Sequence, residues 1–316
     1  MSSKVTMFAP GTIANLGPGF DILGLAIRGT GDRVSARRVE GSGVRIIRIT
    51  GDRGKLPLDA ASNTAGIAAA SVLQRAGVDV GIELEIHKGM PIGSGLGSSA
   101  ASAAAAAMAT NRVLGSPLRR MELIGPCVDA ESHVSGRHAD NVAPALLGGL
   151  IMVRSVDPPA VTRLPVPPGL HVVVATPAFE LPTRDARAAL PAQVPLSAMI
   201  AQSVGVATLV AACYCGDLTL LGSCIRDPIV TPARISLIPG GAEVIDAAER
   251  SGALGASISG AGPSIFAFCH TPSVADRVGR AMVAAFSNAG LPATAIVSPA
   301  DCPGAGEVFG DAPPEG

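Results

Sequence analysis

The residues best suited to chemistry in this sequence are mostly small. Met90-Pro-Ile-Gly-Ser-Gly-Leu-Gly-Ser-Ser-Ala-Ala sets glycines at 93, 95 and 97 directly before an alanine-rich run with strong helix propensity. Glycine lets a chain turn tightly and converge its amides, and the first NH groups of a helix lack intrahelical partners. Residues 93–99 therefore form a cradle suited to an anion such as phosphate. The stretch lacks the lysine of GxxxxGK[ST], which excludes a Walker loop. Gly95, Gly97 and Ala100 also fit the GxGxxA dinucleotide fingerprint. That fingerprint belongs at the first strand of a domain with an acid about 20 residues on, whereas here several strands precede the loop and Glu122 falls in a helical pattern. Hydride transfer ranks low. Read alone, the stretch also allows a glycine-rich helix entry that binds nothing.

Two further glycine-rich segments accompany it. Ser257-Ile-Ser-Gly-Ala-Gly-Pro-Ser lies between apolar runs, where Gly260 and Gly262 permit close backbone approach, although a tight strand connection is the commoner meaning of such a loop. Pro10-Gly-Thr-Ile-Ala-Asn-Leu-Gly-Pro-Gly-Phe-Asp ends an uncharged run in one carboxylate, Asp21, with Asn15 nearby, a pairing able to grip a small polar ligand.

Charge narrows the field. The 316 residues carry 24 Lys and Arg against 25 Asp and Glu, for a net charge of −1, and only 3% are aromatic, so neither nucleic acid nor an anionic membrane finds a broad complementary surface. Only Lys4, Lys55 and Lys88 are lysines, which leaves arginine, with its planar fork, to hold any carboxylate. Six cysteines are scattered without metal-ligand spacing, and the start lacks the pattern of a signal peptide. No zinc site or disulfide scaffold is expected, and the expected compartment is the cytoplasm. Residues 188–216 are uncharged and long enough to span a bilayer, but Pro191, Gln193, Pro195 and Gln202 interrupt them, so a buried helix is expected instead.

The elements that must position these residues follow from periodicity. Strands are expected at 5–9, 22–27, 33–39 and 44–49, then a helix capped by Ser62 or Asn63 running to about 76, a strictly alternating strand at 80–86, helices at 98–112 and 117–132, and a strand at 150–153. Five prolines within 157–169 mark a domain boundary, placed at 158/159. The second half alternates strands at 170–176, 256–259, 265–269 and 294–297 with helices at 183–190, 197–214, 241–251 and 273–289. The class is α+β in two domains, 1–158 and 159–301, and residues 302–316, rich in Pro, Gly and acid, are expected to be a frayed tail.

Four phrases carry a resemblance across about residues 4–300. They are Ala-Pro-x-Thr-x-Ala-Asn-Leu-Gly-Pro-Gly-Phe-Asp-x-Leu-Gly at 9–24, Pro-Ile-Gly-Ser-Gly-Leu-Gly-Ser-Ser-Ala-Ala at 91–101, His-Ala-Asp-Asn-Val-Ala-Pro at 138–144 and Ser-Gly-Ala-Gly-Pro-Ser at 259–264. Together they resemble the GHMP kinase superfamily, and the third, with Thr183-Arg-Asp-Ala-Arg187, is similar to its homoserine kinase branch. Ile13 departs from the small or hydroxyl residue common there.

The resemblance implies a two-domain GHMP kinase fold, with a left-handed βαβ crossover in the N-terminal domain and a ferredoxin-like C-terminal domain. ATP would lie between them. It implies phosphate wrapping by Pro91, Ile92, Gly93, Ser94, Gly95, Leu96, Gly97, Ser98, Ser99, Ala100 and Ala101, with Asn63 near adenine, and Mg²⁺ on Glu131 with Ser98 or Ser99. Asn15, Asp21, His138, Arg187, Arg234 and Gly260 match the amino-acid pocket, which would take L-homoserine for phosphorylation on the way to threonine. An ammonium group suits Asp21 and an α-carboxylate suits the arginines.

Taken singly, Glu131 reads as a solvated helix-end acid, His138 as a cap or core histidine, and Arg187 and Arg234 as surface residues; only the joint pattern overrides this. Where the mevalonate and galactose relatives carry an aspartate base, this chain has Asn141, and an amide cannot take a proton. Catalysis by positioning and charge stabilisation is then expected, with Asn141 and Glu131 as the catalytic pair and Asp140 not serving as base. The rival readings are a kinase for another alcohol, mevalonate or shikimate, whose carboxylate Asp21 would repel without an ammonium group to offset it, and a non-catalytic GHMP-fold metabolite sensor. No nucleic-acid or membrane partner is expected. A homodimer is compatible with the sequence, which leaves the oligomeric state open.

Overall fold

The structure is a computed structural model that describes residues 4–134 and 136–308. Its first half builds a sheet from β1 (Val5–Ala14), β2 (Leu23–Val39), β3 (Gly43–Thr50), β4 (Gly81–His87), β5 (Leu150–Val156) and β6 (Pro159–Leu164), covered by α1 (Thr64–Ala76), α2 (Ser98–Val113), α3 (Ile124–Glu131) and α4 (Val142–Leu147). β3 and β4 run parallel through the α1 crossover, and β5 pairs with β2. The alternation in β4 is literal, with Ile82, Leu84 and Ile86 buried and Glu83 and Glu85 facing outward. α2 has mainly alanine on its buried faces, so its axis lies close over β1 and β2 and brings its N-terminus to the sheet's end.

The second half holds β7 (His171–Pro177), α5 (Thr183–Ala188), α6 (Leu196–Cys215), α7 (Leu218–Ser223), α8 (Val230–Arg234), α9 (Gly241–Arg250), β8 (Gly255–Ile258), β9 (Ile265–Cys269), α10 (Pro272–Asn288) and β10 (Ala293–Pro299). Its antiparallel sheet runs β10-β7-β9-β8, the 4-1-3-2 order of a ferredoxin-like βαββαβ unit. α9 and α10 pack on one face through Val244, Val278, Met282 and Phe286. Phe266 and Phe268, edge to face at 5.2 Å, point to the other face and join the core of the first domain. One continuous core thus crosses the domain boundary and fixes the cleft between the two halves.

Several expectations are corrected. The strands expected at 22–27 and 33–39 are one, β2, and Pro10 does not end β1 but sits at its register break, where the missing NH costs no ladder bond. The helix expected at 117–132 starts only at Ile124. The side chain of Asn111 bonds both backbone groups of Leu118, at 2.8 and 3.1 Å, and holds the chain there out of the helix, which is preceded by a single 3-10 turn at Arg120–Leu123. The 158/159 boundary cuts a hairpin, because β6 pairs with β5 and still belongs to the first sheet. Residues 302–308 are not frayed: β11 (Gly306–Glu307) adds to the edge of β1, and Cys302 and Ala305 are buried. The remainder of the expected tail, 309–316, lies outside the described residues. Finally, the apolar stretch forms α6 as expected, but it is not a buried helix. Leu209, Ala212 and Cys213 pack inward, whereas Leu196, Met199, Ile200, Val204 and Tyr214 stand at least half exposed.

Candidate active site

A cavity of about 490 Å³ opens between the domains, with Asn63, Thr64 and the glycine-rich loop on one side and Pro182, Thr183 and Gly260 on the other. The loop 93–97 climbs into α2 with Gly93, Gly95 and Gly97 all at positive φ. Two of these glycines answer to close packing as well. A Cβ on Gly97 would lie 2.1 Å from Thr12 Oγ1 and 2.8 Å from Asn141 Oδ1, and one on Gly95 would lie 2.6 Å from the carbonyl of Ser259. The second glycine-rich segment approaches the first loop itself: Ser259 Oγ donates to Gly95 O at 2.7 Å, and Ser264 Oγ to Ser94 O at 2.6 Å. The C-terminal domain thus holds the carbonyls of Ser94 and Gly95.

Beneath the loop lies a buried ionic cluster that sequence reading passed over. Lys88 donates to Asp32, to the carbonyl of Ser98 at 2.8 Å and to Ser102 Oγ at 2.7 Å, while Asp32 also accepts from Ser102 and from Gly89 N at 3.0 Å. Lys88 thereby ties the first turn of α2 to β2. Its scarcity as a lysine was a signal, but its partner stands 56 residues away.

Asn15, Asp21, Arg187 and Arg234 form a second cluster beside the cavity. The loop after β1 needs the left-handed region at Asn15, Leu16 and Asp21, with φ of 72°, 50° and 58°. Asn15 holds it, accepting from Asp21 N at 3.1 Å and donating to Gly260 O at 3.0 Å. Arg187, from α5, makes a bidentate pair with Asp21, both bonds 3.1 Å. Arg234 closes α8 and is buried. Its Nε and Nη1 donate to Ala186 O and Gly260 O, and burial, together with the charge of Arg187, depresses its pKa. Both guanidinium groups lie over the ring of Phe20, at 5.5 and 5.3 Å. Phe20 is a further residue that sequence reading did not single out.

Glu131, His138 and Asn141 line the cavity where the clusters meet. Burial disfavours a charged His138, but the hydrogen bond and charge of Asp140, with Glu131 and Asp21 beyond, outweigh it and push the imidazole up to about 9. Asp140 thus faces His138 Nδ1, at 3.4 Å. Asn141 Oδ1 accepts from Thr12 Oγ1 at 2.8 Å, which leaves the amide nitrogen as its remaining polar group.

Not every expected residue reaches the cavity. Leu96, Ala100 and Ala101 turn into the core, and Pro91 lies on the far side of the loop against an adjoining groove. Their place in the motif reflects packing that shapes the loop. Asn63 lines the wall, but its amide is spent locally: Oδ1 caps α1 at Ala65 N and Nδ2 donates to Pro57 O. Ser98 and Ser99 both face the cavity, and Ser98 Oγ is buried without a hydrogen-bond partner. Among the described residues no group of three or more His, Cys, Asp and Glu side chains is arranged to hold a metal ion.

Comparisons with known proteins agree with this architecture. The sequence profile of the GHMP kinases N terminal domain matches residues 63–149 and that of GHMP kinases C terminal matches residues 209–288. A homoserine kinase of Arabidopsis thaliana is 44% identical over 310 residues, covering 96% of this chain and 84% of that protein. The crystal structure of a homoserine kinase from Cytophaga hutchinsonii superposes with a TM-score of 0.94 at 44% identity, over 98% of each chain. An L. major mevalonate kinase shares the fold, at a TM-score of 0.69 and 18% identity. The glycine loops, the two-domain architecture and these whole-chain similarities together place the chain in the homoserine kinase family of the GHMP kinase superfamily.

Proposed function

We propose that the protein transfers the γ-phosphoryl group of ATP to the side-chain hydroxyl of L-homoserine, giving O-phospho-L-homoserine. The observation that carries this reading is the meeting of an amide-lined glycine loop with a pocket holding one carboxylate and two guanidinium groups. The loop suits a polyphosphate and the pocket suits an α-amino acid.

The chain's own residues do the positioning. Amides of residues 93–99 and the start of α2 receive the phosphates, and Lys88 holds that turn in place from beneath. Arg234 is fixed by two backbone carbonyls and offers its remaining donors to the substrate carboxylate, while Asp21 meets the ammonium group. The unpartnered buried hydroxyl of Ser98 and the buried carboxylate of Glu131, both on the cavity wall, fit a hard divalent cation that takes its other ligands from phosphate and water. Such an ion, Mg²⁺, would neutralise charge that builds on the phosphates. Asn141 presents its amide N–H to the substrate hydroxyl, because Thr12 occupies its oxygen. An N–H there orients the hydroxyl without taking its proton, which a loose transition state tolerates.

The test is ADP release in a coupled assay with L-homoserine, mevalonate, shikimate and L-serine as acceptors. L-homoserine should give the highest kcat/KM. A preference for mevalonate or shikimate overturns the substrate, and binding of L-homoserine without ADP release makes the protein a sensor.

A further inference from the structure

We propose that the outer face of the first sheet carries an anion-binding groove in which Arg33 and Arg48 together take a compact phosphate dianion, free or as the ester of a small molecule. The groove shares no lining residue with the cavity between the domains, and the proposal holds whichever reaction that cavity performs.

The groove, of about 400 Å³, runs across β1, β2, β4 and β3. Alternation buries Val34, Leu84 and Ile86 in the core and turns Arg33, Ser35, Glu85 and His87 outward. β3 reaches the same face only through a bulge. Arg45 pairs with Glu83 and Ile46 with Leu84, Ile47 is then skipped, and Arg48 pairs with Glu85 and Thr50 with His87. Without that extra residue Arg48 would stand opposite Ile86, on the core side. The bulge leaves Ile47 45% exposed, and what it achieves is to aim Arg48 and Thr50 into the groove.

The charges on this face divide into matched and unmatched. Arg37 donates to Glu83 Oε2 at 2.7 Å, Arg45 to Glu83 Oε1 at 3.2 Å, and Lys4 to Glu85 Oε1 at 2.8 Å. Matched charges of this kind suffice to keep the edge strand β3 from pairing with another chain. Arg33 and Arg48 are different. Among the described residues neither makes an ion pair or a side-chain hydrogen bond, although Glu85 stands opposite Arg48 in the register, and Arg33 Nε is buried without a partner. With Lys4 and Glu85 cancelling, two positive charges remain in the groove, and a dianion balances them. Arg33 and Arg48 lie on strands two apart, about 10 Å, a span that two arginine side chains bridge to one ligand. Hydroxyls complete the lining. Thr6 Oγ1 and Ser35 Oγ are 2.8 Å apart, so one donates to the other and the second proton is left for a ligand, while Thr50 Oγ1 holds the His87 ring through Nδ1 at 2.9 Å. Tetrahedral oxyanions accept from guanidinium forks and hydroxyls in this combination.

His87 lines the groove and His138 the cavity, so their ring resonances in NMR report the two places separately. Inorganic phosphate and glycerol 3-phosphate are titrated into the full chain at about pH 7.5, where both are mainly dianions. The His87 resonance should shift and saturate with each. Equal affinities assign the groove to the free ion and a tighter ester assigns it to an organic phosphate; either result supports the site. Arg33→Gln and Arg48→Gln should each weaken binding read at His87 about tenfold. Arg37→Gln, which removes an arginine already matched by Glu83, should change it by less than about twofold. Arg48 is exposed, so its variant decides the matter should Arg33→Gln fail to fold. A His87 resonance that does not move, or moves without saturating, overturns the proposal, and so does equal weakening in all three variants, which is the behaviour of a diffuse positive surface.

Discussion

Each half of the site contains an acid–base pair, and the two are built differently. Under the phosphate loop, Lys88 and Asp32 are 2% and 0% exposed and share Ser102, Gly89 and the carbonyl of Ser98, so each charge is surrounded by hydrogen-bond partners. In the cluster beside the cavity, Arg187 and Asp21 are 39% and 33% exposed and are held by little besides each other and Phe20. A closed, dry network resists rearrangement because a lost partner leaves a buried charge, whereas a half-wet pair can be exchanged. The first fixes the turn that starts α2, and the second stands at the edge of the cavity with water on one side.

Stability should separate the two pairs most clearly. Lys88→Met leaves Asp32 buried without its cation and should cost about 3–5 kcal/mol in urea unfolding, with part of it recovered by adding Asp32→Asn. Arg187→Ala should cost no more than about 1 kcal/mol in the same assay. Equal losses would erase the distinction drawn between them.

Turnover comes next. Glu131→Gln should lower kcat on the order of 10²-fold and shift the Mg²⁺ titration to higher concentration, because a charged cavity ligand becomes neutral. Unchanged activity and metal dependence would put the metal elsewhere.

The smallest effect concerns His138, which lies between the halves. Its folded pKa of about 9 lies above the ordinary 6.5, so its ion pair with Asp140 stabilises the fold fully below about pH 6.5 and is lost as pH rises through about 9. The stability gap between the unmodified protein and His138→Gln should therefore be largest near the acid end of that window and close above it. A gap that stays constant across the window would show the imidazole to be neutral throughout.

Much of this was legible from local patterns. Alternation located β4, alanine propensity located α2, and the cap of α1 was narrowed to Ser62 or Asn63, of which Asn63 fills the role, because each depends on neighbours within a turn or a strand. The glycine loop was legible for the same reason: positive φ and unsatisfied helix NH groups are properties of a few consecutive residues. β6, β11 and α4 were not, since short segments of ordinary composition become strands or helices only when a partner is already there. The exposed face of α6 was missed because apolar composition says that a helix can be buried and not that anything covers it.

By itself, then, the sequence determined the α+β class, the glycine-rich turn into α2 and, through the four phrases, the family. Tertiary structure alone decided which charges meet. Lys88 reaches Asp32 across 56 residues, Asp32 reaches Ser102 across 70, and Arg187 reaches Asp21 across 166. Sheet order and a core shared between domains bring those residues within bonding distance, and no local pattern encodes that arrangement, because the free energy that selects it comes from burying apolar surface far from the charges it aligns.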